Sequence, residues 1–372
     1  MPNIATAMTE KQTKKIAIIG TVGLPAAYSG FETLVENLVR FHAANQLPGQ
    51  LTVYCSKSRF KTHPSEYLGA QLVYLPLNAN GPSSIIYDIW SMLHAIWNRS
   101  DVLLVLGVSG ALALPLLRAL SNARIVTNID GIEWKREKWQ GIAKGILRIS
   151  EWFAVKFSHV VVADNEGIVE HVQTTYGASS LMIAYGGDHA LADATKPYDG
   201  PPLPEKYALA ICRIEPENNV GMIVEAFVGN EALPLVFIGN WNNSEYGRGI
   251  RNQFMNAPGV HLLDPIYDLD TLLHIRQSAN VYIHGHSAGG TNPSLVEAMH
   301  FGMPILAFDC KFNRYSTFNS ALYFVHQSDL KEKIENIEKL NPDKIGKMMK
   351  ILANDHYVWD KVADKYFTNI LY

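Results

Sequence analysis

The stretch KIAIIGTVGLPAAYSGFETLVENLV, residues 15–39, decides the fold of the first part of the chain. It begins with a short apolar run that is typical of a buried strand and ends in a glycine-rich turn. A helix is predicted to follow, because Ser29 and Glu32 have the spacing of a capping box. Apolar residues then recur at helical spacing, namely Phe31, Leu34, Val35, Leu38 and Val39. This order of strand, turn and helix predicts a Rossmann-like opening.

Similar strands alternate with helical patterns along most of the chain. They are LTVYC, AQLVYLPL, DVLLVLG, ARIVTNID, HVVVADN and SLMIAYGG, and then YALAIC, PLVFIGN, GVHLLDP, NVYIH, PILAFDC and ALYFV. Strands separated by helices predict parallel sheets covered on both faces. Residues 193–207 interrupt the alternation with several prolines, after which it restarts. We therefore expect an α/β protein with two Rossmann-like domains that face each other across a cleft.

The interruption sets the predicted domain boundaries. Residues 1–14 are polar and are predicted to be a flexible leader, and residues 15–192 to be the first domain. Residues 193–206 are the predicted linker, and residues 207–350 the second domain. The amphipathic pattern of residues 351–372 predicts a C-terminal helix that crosses back to the first domain.

Composition narrows the class of protein. A chain of 372 residues suffices for about two domains, and 48% hydrophobic residues exclude general disorder. The formal net charge of -3 argues against nucleic acid as the main partner. Cys55, Cys212 and Cys310 are widely separated, so a reducing cytoplasm fits better than a disulfide scaffold. The most apolar stretch, residues 102–120, contains glycine, serine and proline and predicts a strand, a turn and a helix rather than a membrane span.

The strongest local signal is HGHSAGGTNPSLVEAMHFGMPILAFD, residues 284–309. A strand leads into a glycine-rich loop, and Asn292 is predicted to cap a helix that starts with proline. Unpaired backbone N–H groups at such a place can bind a diphosphate, and Glu297 can accept hydrogen bonds from ribose or sugar hydroxyls. The alternative is an ordinary glycine-rich turn with an exposed glutamate. No third ligand accompanies His284 and His286 at metal-site spacing, so no metal is expected.

Two further loops follow predicted strands. Arg213 leaves the end of the first strand of the second domain, where a fixed cation suits phosphate. The alternative is a surface salt bridge with Glu215 or Glu217. Gly20 and Gly23 lie in the first-domain turn, whose glycine spacing does not match the dinucleotide fingerprint G-x-G-x-x-G.

The segment NIDGIEWKREKW, residues 128–139, combines acidic, basic and tryptophan side chains after a strand. Such a loop suits recognition of a polyhydroxylated ligand by stacking and hydrogen bonding. Asp130 and Glu133 are the carboxylates predicted to contact a reacting hydroxyl. The alternative is that Trp134 and Trp139 are partly buried anchors between solvated basic residues.

Four segments together resemble the retaining glycosyltransferases of family four from bacteria: IIGTVGLPAAYSGFETLVENL, IAYGGD, RIEPENN and GGTNPSLVEAMHFGMPILAFD. The resemblance covers nearly the whole chain from about Lys15 and is nearest to the branch with rhamnosyltransferases of capsule and surface-polysaccharide synthesis. It implies a GT-B fold, in which the first domain binds the acceptor and the second a nucleotide-sugar. It also implies transfer with retained anomeric configuration and no obligatory metal or other cofactor.

The resemblance further implies roles for individual residues. Glu297 would hold the ribose, Arg213 would neutralise the diphosphate, and Asp130 would complete the catalytic set. The donor site would include Gly20, Gly23, Arg213, Asn218, Gly289, Gly290, Thr291, Asn292 and Glu297. The acceptor site would include Asn128, Asp130, Glu133, Trp134 and Arg136.

Three positions depart from the family pattern. Gly289 stands where a glutamate is usual, eight residues before Glu297, and Asn218 where a lysine is usual, five residues after Arg213. Asp130 is the nearest positional match to a histidine often found in the first domain. Without a carboxylate at position 289, backbone N–H groups would hold the donor sugar, which suits a deoxy sugar such as rhamnose.

The predicted function is retaining transfer of a sugar to a saccharide, by resemblance one linked to a polyprenyl diphosphate, at the inner face of the cell membrane. Alternatives are a nucleotide-sugar epimerase of the same fold and a non-catalytic nucleotide-sugar-binding protein. A nicotinamide-dependent dehydrogenase would need a glycine fingerprint that the chain lacks. A helix predicted over Gly141–Phe157 has an apolar face beside basic residues, for which core packing is favoured over contact with an anionic membrane.

Overall fold

The computed structural model describes residues 14–26, 30–135, 141–191 and 194–372. The first sheet has eight strands in the order β3-β4-β2-β1-β5-β6-β7-β8. They are β1 Lys15–Ile19, β2 Gln50–Ser56, β3 Glu66–Tyr67, β4 Ala70–Leu75, β5 Val102–Leu106, β6 Arg124–Ile129, β7 Val160–Ala163 and β8 Leu181–Met182. β3 pairs antiparallel with β4, whereas β1 pairs parallel with β2 and β5. The buried apolar run of β1 is what a strand covered on both faces requires.

Helices connect the strands of this sheet. They are α1 Gly30–Ala44, α2 Ser84–Trp97, α3 Leu114–Leu120, α4 Gly141–Phe157 and α5 Glu166–Tyr176. α1 buries Leu34, Val35, Leu38 and Val39, as the helical spacing of these residues predicts. The predicted capping box involves Ser29, which lies outside the described residues.

The second sheet has six strands in the order β11-β10-β9-β12-β13-β14, all paired in parallel. They are β9 Ala208–Ile211, β10 Leu235–Ile238, β11 Val260–Leu263, β12 Val281–His284, β13 Ile305–Phe308 and β14 Leu322–Phe324. The helices are α6 Val220–Phe227, α7 Glu245–Phe254, α8 Leu269–Ser278, α9 Pro293–Met299, α10 Lys311–Ser316, α11 Gln327–Glu335, α12 Pro342–His356 and α13 Trp359–Tyr366, followed by a π-helical turn at Phe367–Leu371. The core of this half includes Phe227, Phe237 and Trp241, all fully buried. Two Rossmann-like sheets are therefore present, and the predicted fold class is confirmed.

The contacts divide the described residues into two compact units. Unit 1 contains the described residues up to Asn128, together with Ile149–Val161 and Tyr366–Tyr372. Unit 2 contains the described residues of Ile129–Arg148 and Val162–Lys365. Within unit 1 the C-terminal turn packs on α1, since the rings of Phe367 and Phe41 stack at 6.0 Å.

The apolar face of α4 does not pack in a core along its whole length. Ile142 is 84% exposed and Ile149 52% exposed, and Ile146 is exposed as well. The core packing favoured from the sequence is therefore wrong for these three residues, because no neighbouring element covers them among the described residues.

Candidate functional site

The candidate site lies at the point of the second sheet where β9 and β12 are neighbours. The chain order of the strands reverses there, and open α/β sheets bind ligands outside the carboxyl ends of the strands at such a point. The chain leaves β9 through residues 212–219, here called the β9 loop, and leaves β12 through residues 285–292, the β12 loop. These two loops carry most of the residues predicted to bind a donor.

Hydrogen bonds join the β9 loop to the β12 loop. Asn219 Nδ2 donates to the carbonyl oxygen of Gly285 at 2.8 Å. The backbone N–H and the hydroxyl of Ser287 donate to the carbonyl oxygen of Glu217 at 3.0 and 2.8 Å. The two loops therefore form one layer at the end of the sheet.

Asn218 and Arg213 have different surroundings within the β9 loop. Asn218 is buried, its Oδ1 lies 2.8 Å from His286 Nδ1, and its Nδ2 donates to the carbonyl oxygen of Arg213 at 2.6 Å. The Arg213 side chain is 54% exposed, with Nη1 4.0 Å from Oε1 of Glu215. An exposed pair at that distance stabilises the fold by less than about 1 kcal/mol, so the guanidinium keeps most of its capacity to bind an anion.

Two positions of the β12 loop require glycine. Gly289 has a φ of 125°, a conformation that side-chain-bearing residues rarely adopt, and a Cβ there would lie 2.8 Å from His286 Nε2. A Cβ at Gly290 would lie 1.9 Å from Oδ1 of Asp164. A glutamate at position 289 would therefore strain the loop. The backbone conformation at this position favours glycine over a residue with a carboxylate.

Asp164, the first residue after β7, holds the β12 loop from within unit 2. Its Oδ2 accepts the backbone N–H of Thr291 at 3.2 Å, and its carbonyl oxygen accepts the Thr291 hydroxyl. The backbone N–H of Gly290 donates to the carbonyl oxygen of Asp130 at 3.0 Å. Two N–H groups predicted to bind a diphosphate are therefore used inside the protein. Burial, and then the charge of Asp130, raises the pKa of Asp164 well above its ordinary value.

Asn292 caps α9, as predicted. Its Oδ1 accepts the backbone N–H of Ser294 at 3.1 Å and the Ser294 hydroxyl at 2.9 Å. Pro293 occupies the first helical position, where a missing N–H removes no helical hydrogen bond. The cap fixes the start of the helix that carries Glu297.

Glu297 is held by two side chains from other segments of unit 2. Its side chain is 13% exposed, and Arg276 of α8, only 4% exposed, donates to its Oε2. His189 Nε2 lies 3.3 Å from Oε1. Trp359 Nε1 donates to His189 Nδ1 at 2.9 Å, which leaves the proton of a neutral His189 on Nε2, facing the carboxylate. Both carboxylate oxygens are thereby fixed.

This environment sets the charge of Glu297. Burial by itself raises the pKa of Glu297, but the charge of Arg276 and the hydrogen bond from His189 outweigh burial and lower the pKa to about 2. Arg276 Nε and Nη1 have no hydrogen-bond partner among the described residues, and the guanidinium lies 5.8 Å from the Phe301 ring. Glu297 is therefore an ionised carboxylate in an almost closed, positively charged setting.

The predicted acceptor segment is described as far as residue 135, and Arg136 lies outside the described residues. Asp130 is exposed, and Glu133 begins a single 3₁₀ turn, Glu133–Lys135. The Trp134 ring is half-buried, with Lys135 Nζ at 5.3 Å and Arg148 Cζ at 5.5 Å from its centre. Cations on the ring indicate an anchored tryptophan with a polar surround.

Three predicted site residues lie in unit 1. Gly20 and Gly23 are in the turn after β1, where the backbone N–H of Gly23 donates to Thr21 Oγ1 at 3.3 Å. Asn128 is 3% exposed at the end of β6, and its Nδ2 donates to the Tyr366 hydroxyl. The amide nitrogen of Asn128 is thus engaged inside unit 1, whereas its Oδ1 has no hydrogen-bond partner among the described residues.

Sequence reasoning missed Arg276, His189 and Asp164. Arg276 is in the last turn of α8, without any local motif, and 21 residues separate it from Glu297. His189 directly follows IAYGGD, so a signal was present, although that motif implied no role for it. Asp164 is a single acid after a valine-rich strand, a position that carries no signal by itself.

The described residues contain neither a cluster of metal-ligating side chains nor a membrane-spanning helix. Within the described ranges no three His, Cys, Asp or Glu side chains are grouped so that they could hold a metal ion. His284 is buried, which lowers its pKa to about 3, so its imidazole is neutral. Among the described helices none has the length and apolar composition needed to cross a membrane.

Two families match successive parts of the sequence. Residues 13–188 match a domain of unknown function, DUF1972, and residues 194–355 match the glycosyl transferases group 1. None of the curated protein sequences matches the chain.

Solved structures resemble the chain over nearly its full length. Sucrose-phosphate synthase from Thermosynechococcus elongatus is 15% identical with a TM-score of 0.79, over 95% of this chain and 98% of that one. A glycosyltransferase from Rickettsia africae is 12% identical with a TM-score of 0.69, over 96% and 97% of the two chains. HepE of Anabaena, in complex with UDP-glucose, is 12% identical with a TM-score of 0.67, over 96% and 99%. These likenesses show the GT-B fold, and the group 1 match supports a glycosyltransferase.

Proposed function

We propose that this chain, a glycosyltransferase of GT-B fold, binds a nucleotide-sugar at the β9 and β12 loops and transfers its sugar to an acceptor hydroxyl with retained configuration. The observation that carries the proposal is the fixed, ionised carboxylate of Glu297, between Arg276 and His189. It is supported by the group 1 match of residues 194–355 and by the UDP-glucose bound to HepE.

Glu297 has the chemistry to bind a ribose. A carboxylate oxygen offers two lone pairs, and each oxygen of Glu297 uses one of them for Arg276 or His189. The remaining lone pairs match the two O–H donors of a ribose diol. Because its partners already set the orientation of the carboxylate, little side-chain entropy is lost on binding.

Arg213 is the group proposed to stabilise the leaving nucleoside diphosphate. Charge develops on the diphosphate as the bond to the sugar breaks, and a positioned cation lowers the energy of that transition state. The exposed guanidinium of Arg213 lies in the β9 loop, which hydrogen bonds attach to the β12 loop. In a retaining transfer the acceptor hydroxyl attacks from the side of the departing diphosphate, whose oxygen accepts the proton.

The proposed identities of the donor sugar and the acceptor are inferred from the residues that would contact each of them. Gly289 presents no carboxylate to the sugar, which favours a deoxy sugar such as rhamnose. Asp130, an exposed carboxylate, would orient the acceptor hydroxyl, with Glu133 and Trp134 beside it. The proposed acceptor is a saccharide on a polyprenyl diphosphate, used for surface polysaccharide at the cytoplasmic face of the membrane.

The test is transfer by the purified full chain from a panel of nucleotide-sugars to a lipid-linked glucose. The panel contains dTDP-rhamnose, UDP-glucose and GDP-mannose, and nuclear magnetic resonance reports the anomeric configuration of the product. We expect a rhamnoside, and we expect Glu297→Ala and Arg213→Ala to lower the rate by roughly a hundredfold or more. Arg248→Ala, an exposed arginine of α7, is the matched control and should leave the rate unchanged.

Other outcomes would select other functions. Conversion of a nucleotide-sugar without acceptor would identify an epimerase. Saturable binding of a nucleotide-sugar without any product would identify a binding protein. Transfer of glucose or mannose without rhamnose would contradict the proposed donor while keeping the reaction.

A further inference from the structure

Helix α2 has an apolar face that nothing in its unit covers among the described residues. Ile86, Trp90, Leu93 and Trp97 recur at helical spacing and are 60, 47, 41 and 85% exposed. A shallow cavity of about 480 Å³ runs along this face. The opposite face is buried through Tyr87, Asp88, Ser91, Met92 and Ala95. The buried face thus anchors α2 in unit 1, and the four apolar side chains on its other face are exposed in the folded protein.

The same surface continues over α3 and α4. α2 packs against α3, whose Leu116 and Leu120 are exposed. Arg118 of α3 has its Nη1 3.5 Å from the carbonyl oxygen of Phe157 at the end of α4. We define the apolar face as the exposed apolar side chains that α2, α3 and the last part of α4, Ile149–Phe157, present within unit 1: Ile86, Trp90, Leu93, Trp97, Leu116, Leu120, Ile149 and Trp152.

The charges on the three helices have one sign at the surface. Their two carboxylates, Asp88 and Glu151, are 3% and 0% exposed, so no described side chain of α2, α3 or α4 presents a carboxylate to solvent. The lysine and arginine side chains that these helices place in unit 1, Arg118 and Lys156, are both exposed. In the whole chain the 35 aspartates and glutamates outnumber the 32 lysines and arginines. The absence of surface carboxylates from the described side chains of these helices therefore does not follow from the overall composition.

The exposed apolar side chains, together with cations and no surface carboxylate among the described side chains of these helices, distinguish a protein partner from a membrane partner. Protein interfaces are depleted in lysine and pair charges of both signs. Tryptophans with aliphatic side chains, edged by cations and free of surface carboxylates, match the boundary between lipid headgroups and acyl chains. An anionic bilayer is therefore the complementary surface.

We propose that the apolar face is a docking surface for an anionic membrane. Trp90 and Trp97 lie about two turns apart on one side of α2, roughly 10 Å along its axis, so both enter the bilayer boundary when the helix lies flat on it. Arg118 of α3 and Lys156 of α4 are the exposed cations of the same unit and contact lipid phosphates. The purpose of this docking rests on the proposed function, since a polyprenyl-linked acceptor resides in the membrane.

The experiment is sedimentation of the full chain with vesicles, in the absence of any nucleotide-sugar or acceptor. One set of vesicles is phosphatidylcholine, and the other contains equal parts of phosphatidylcholine and phosphatidylglycerol. We expect strong partitioning onto the anionic vesicles that weakens as salt is added. Arg118→Gln with Lys156→Gln should lower it about 25-fold, since each basic residue near an anionic surface contributes roughly fivefold. Trp90→Ser with Trp97→Ser should lower it by roughly tenfold or more.

Matched variants in unit 2 control for general effects of charge and hydrophobicity. Met348→Ser with Ile351→Ser removes two exposed apolar side chains of α12, and Lys331→Gln with Lys344→Gln removes two exposed cations. Both should sediment as the wild type does. Circular dichroism checks that every variant is folded.

Three results would overturn the proposal. The first is a wild type that stays in the supernatant with anionic vesicles at low salt, and the second is an equal loss in the control variants. The third is self-association that Trp90→Ser with Trp97→Ser abolishes, without vesicle binding, which would make the face a contact between copies of the chain. Vesicle binding without sugar transfer would contradict the proposed function and leave the docking surface in place. Sugar transfer without vesicle binding would contradict the docking surface and leave the proposed function in place.

Discussion

Two regions of the molecule invert the usual placement of side chains. Around the β12 loop, the ionisable groups Asp164, Arg276 and Glu297 are 7, 4 and 13% exposed. On the apolar face, tryptophan, leucine and isoleucine side chains are exposed instead. Burying charge and exposing apolar area both oppose folding, so each is expected where binding supplies the missing interactions.

The difference between the two regions lies in how they are held. Glu297 depends on partners inside unit 2, so removal of one partner leaves a buried, uncompensated charge. The apolar face depends on nothing inside the protein, because its outer side chains contact solvent. Changes in the first region should therefore alter stability, and changes in the second should alter binding alone.

The largest expected effect comes from Arg276→Ala. The substitution leaves Glu297 ionised and nearly buried without its main counter-charge, which should lower the free energy of unfolding by about 3–5 kcal/mol. Urea denaturation followed by circular dichroism measures it. The control is Arg251→Ala, which removes a partner of the exposed Asp264 and should change stability by less than about 1 kcal/mol. Equal losses in the two variants would show that the Glu297 pair behaves as an ordinary surface pair.

The second effect is the pH dependence that Glu297 gives to folding. Because its pKa in the folded protein is lowered to about 2, the carboxylate stabilises the fold above its ordinary pKa, and this contribution is lost as the pH falls toward 2. The loss amounts to about 3 kcal/mol. In Glu297→Gln the unfolding free energy should no longer show this loss at acid pH. In Glu338→Gln, at an exposed position, the loss should remain. If the unfolding free energy of Glu297→Gln fell at acid pH as much as that of the wild type, Glu297 would not have the lowered pKa described above.

Local pattern predicted the elements, and long-range contacts decided the rest. The helix Gly141–Phe157 begins and ends where apolar spacing placed it, because helical periodicity is a local property. Glu297 was found from its loop and helix, but the buried Arg276 and His189 that fix it come from separate segments. Periodicity also assigned the apolar side of α4 to a core, since a pattern shows which face is apolar and not what covers it.

A third, intermediate effect is expected at Asp164. Its raised pKa means that the folded protein binds a proton more tightly than the unfolded chain, so stability falls as the pH rises above the ordinary value for aspartate. The fall is up to about 1.4 kcal/mol for each pH unit until the folded carboxyl ionises. Asp164→Asn keeps an oxygen for the Thr291 N–H and cannot ionise, so its unfolding free energy should be flatter with pH. Parallel pH profiles for the two proteins would show that Asp164 is charged when folded.

The smallest effect on stability is expected for Trp97→Ser, on the apolar face. The side chain is 85% exposed and contributes little buried area, so the unfolding free energy should change by less than about 0.5 kcal/mol. Binding to anionic vesicles should nevertheless weaken severalfold, because transfer of an indole into the bilayer boundary is lost. Trp241→Ser, at a fully buried position of unit 2, provides the contrast and should lower stability by at least about 3 kcal/mol. A large loss of stability in Trp97→Ser would place that ring inside a packed interface of the chain and remove the contrast between the two regions.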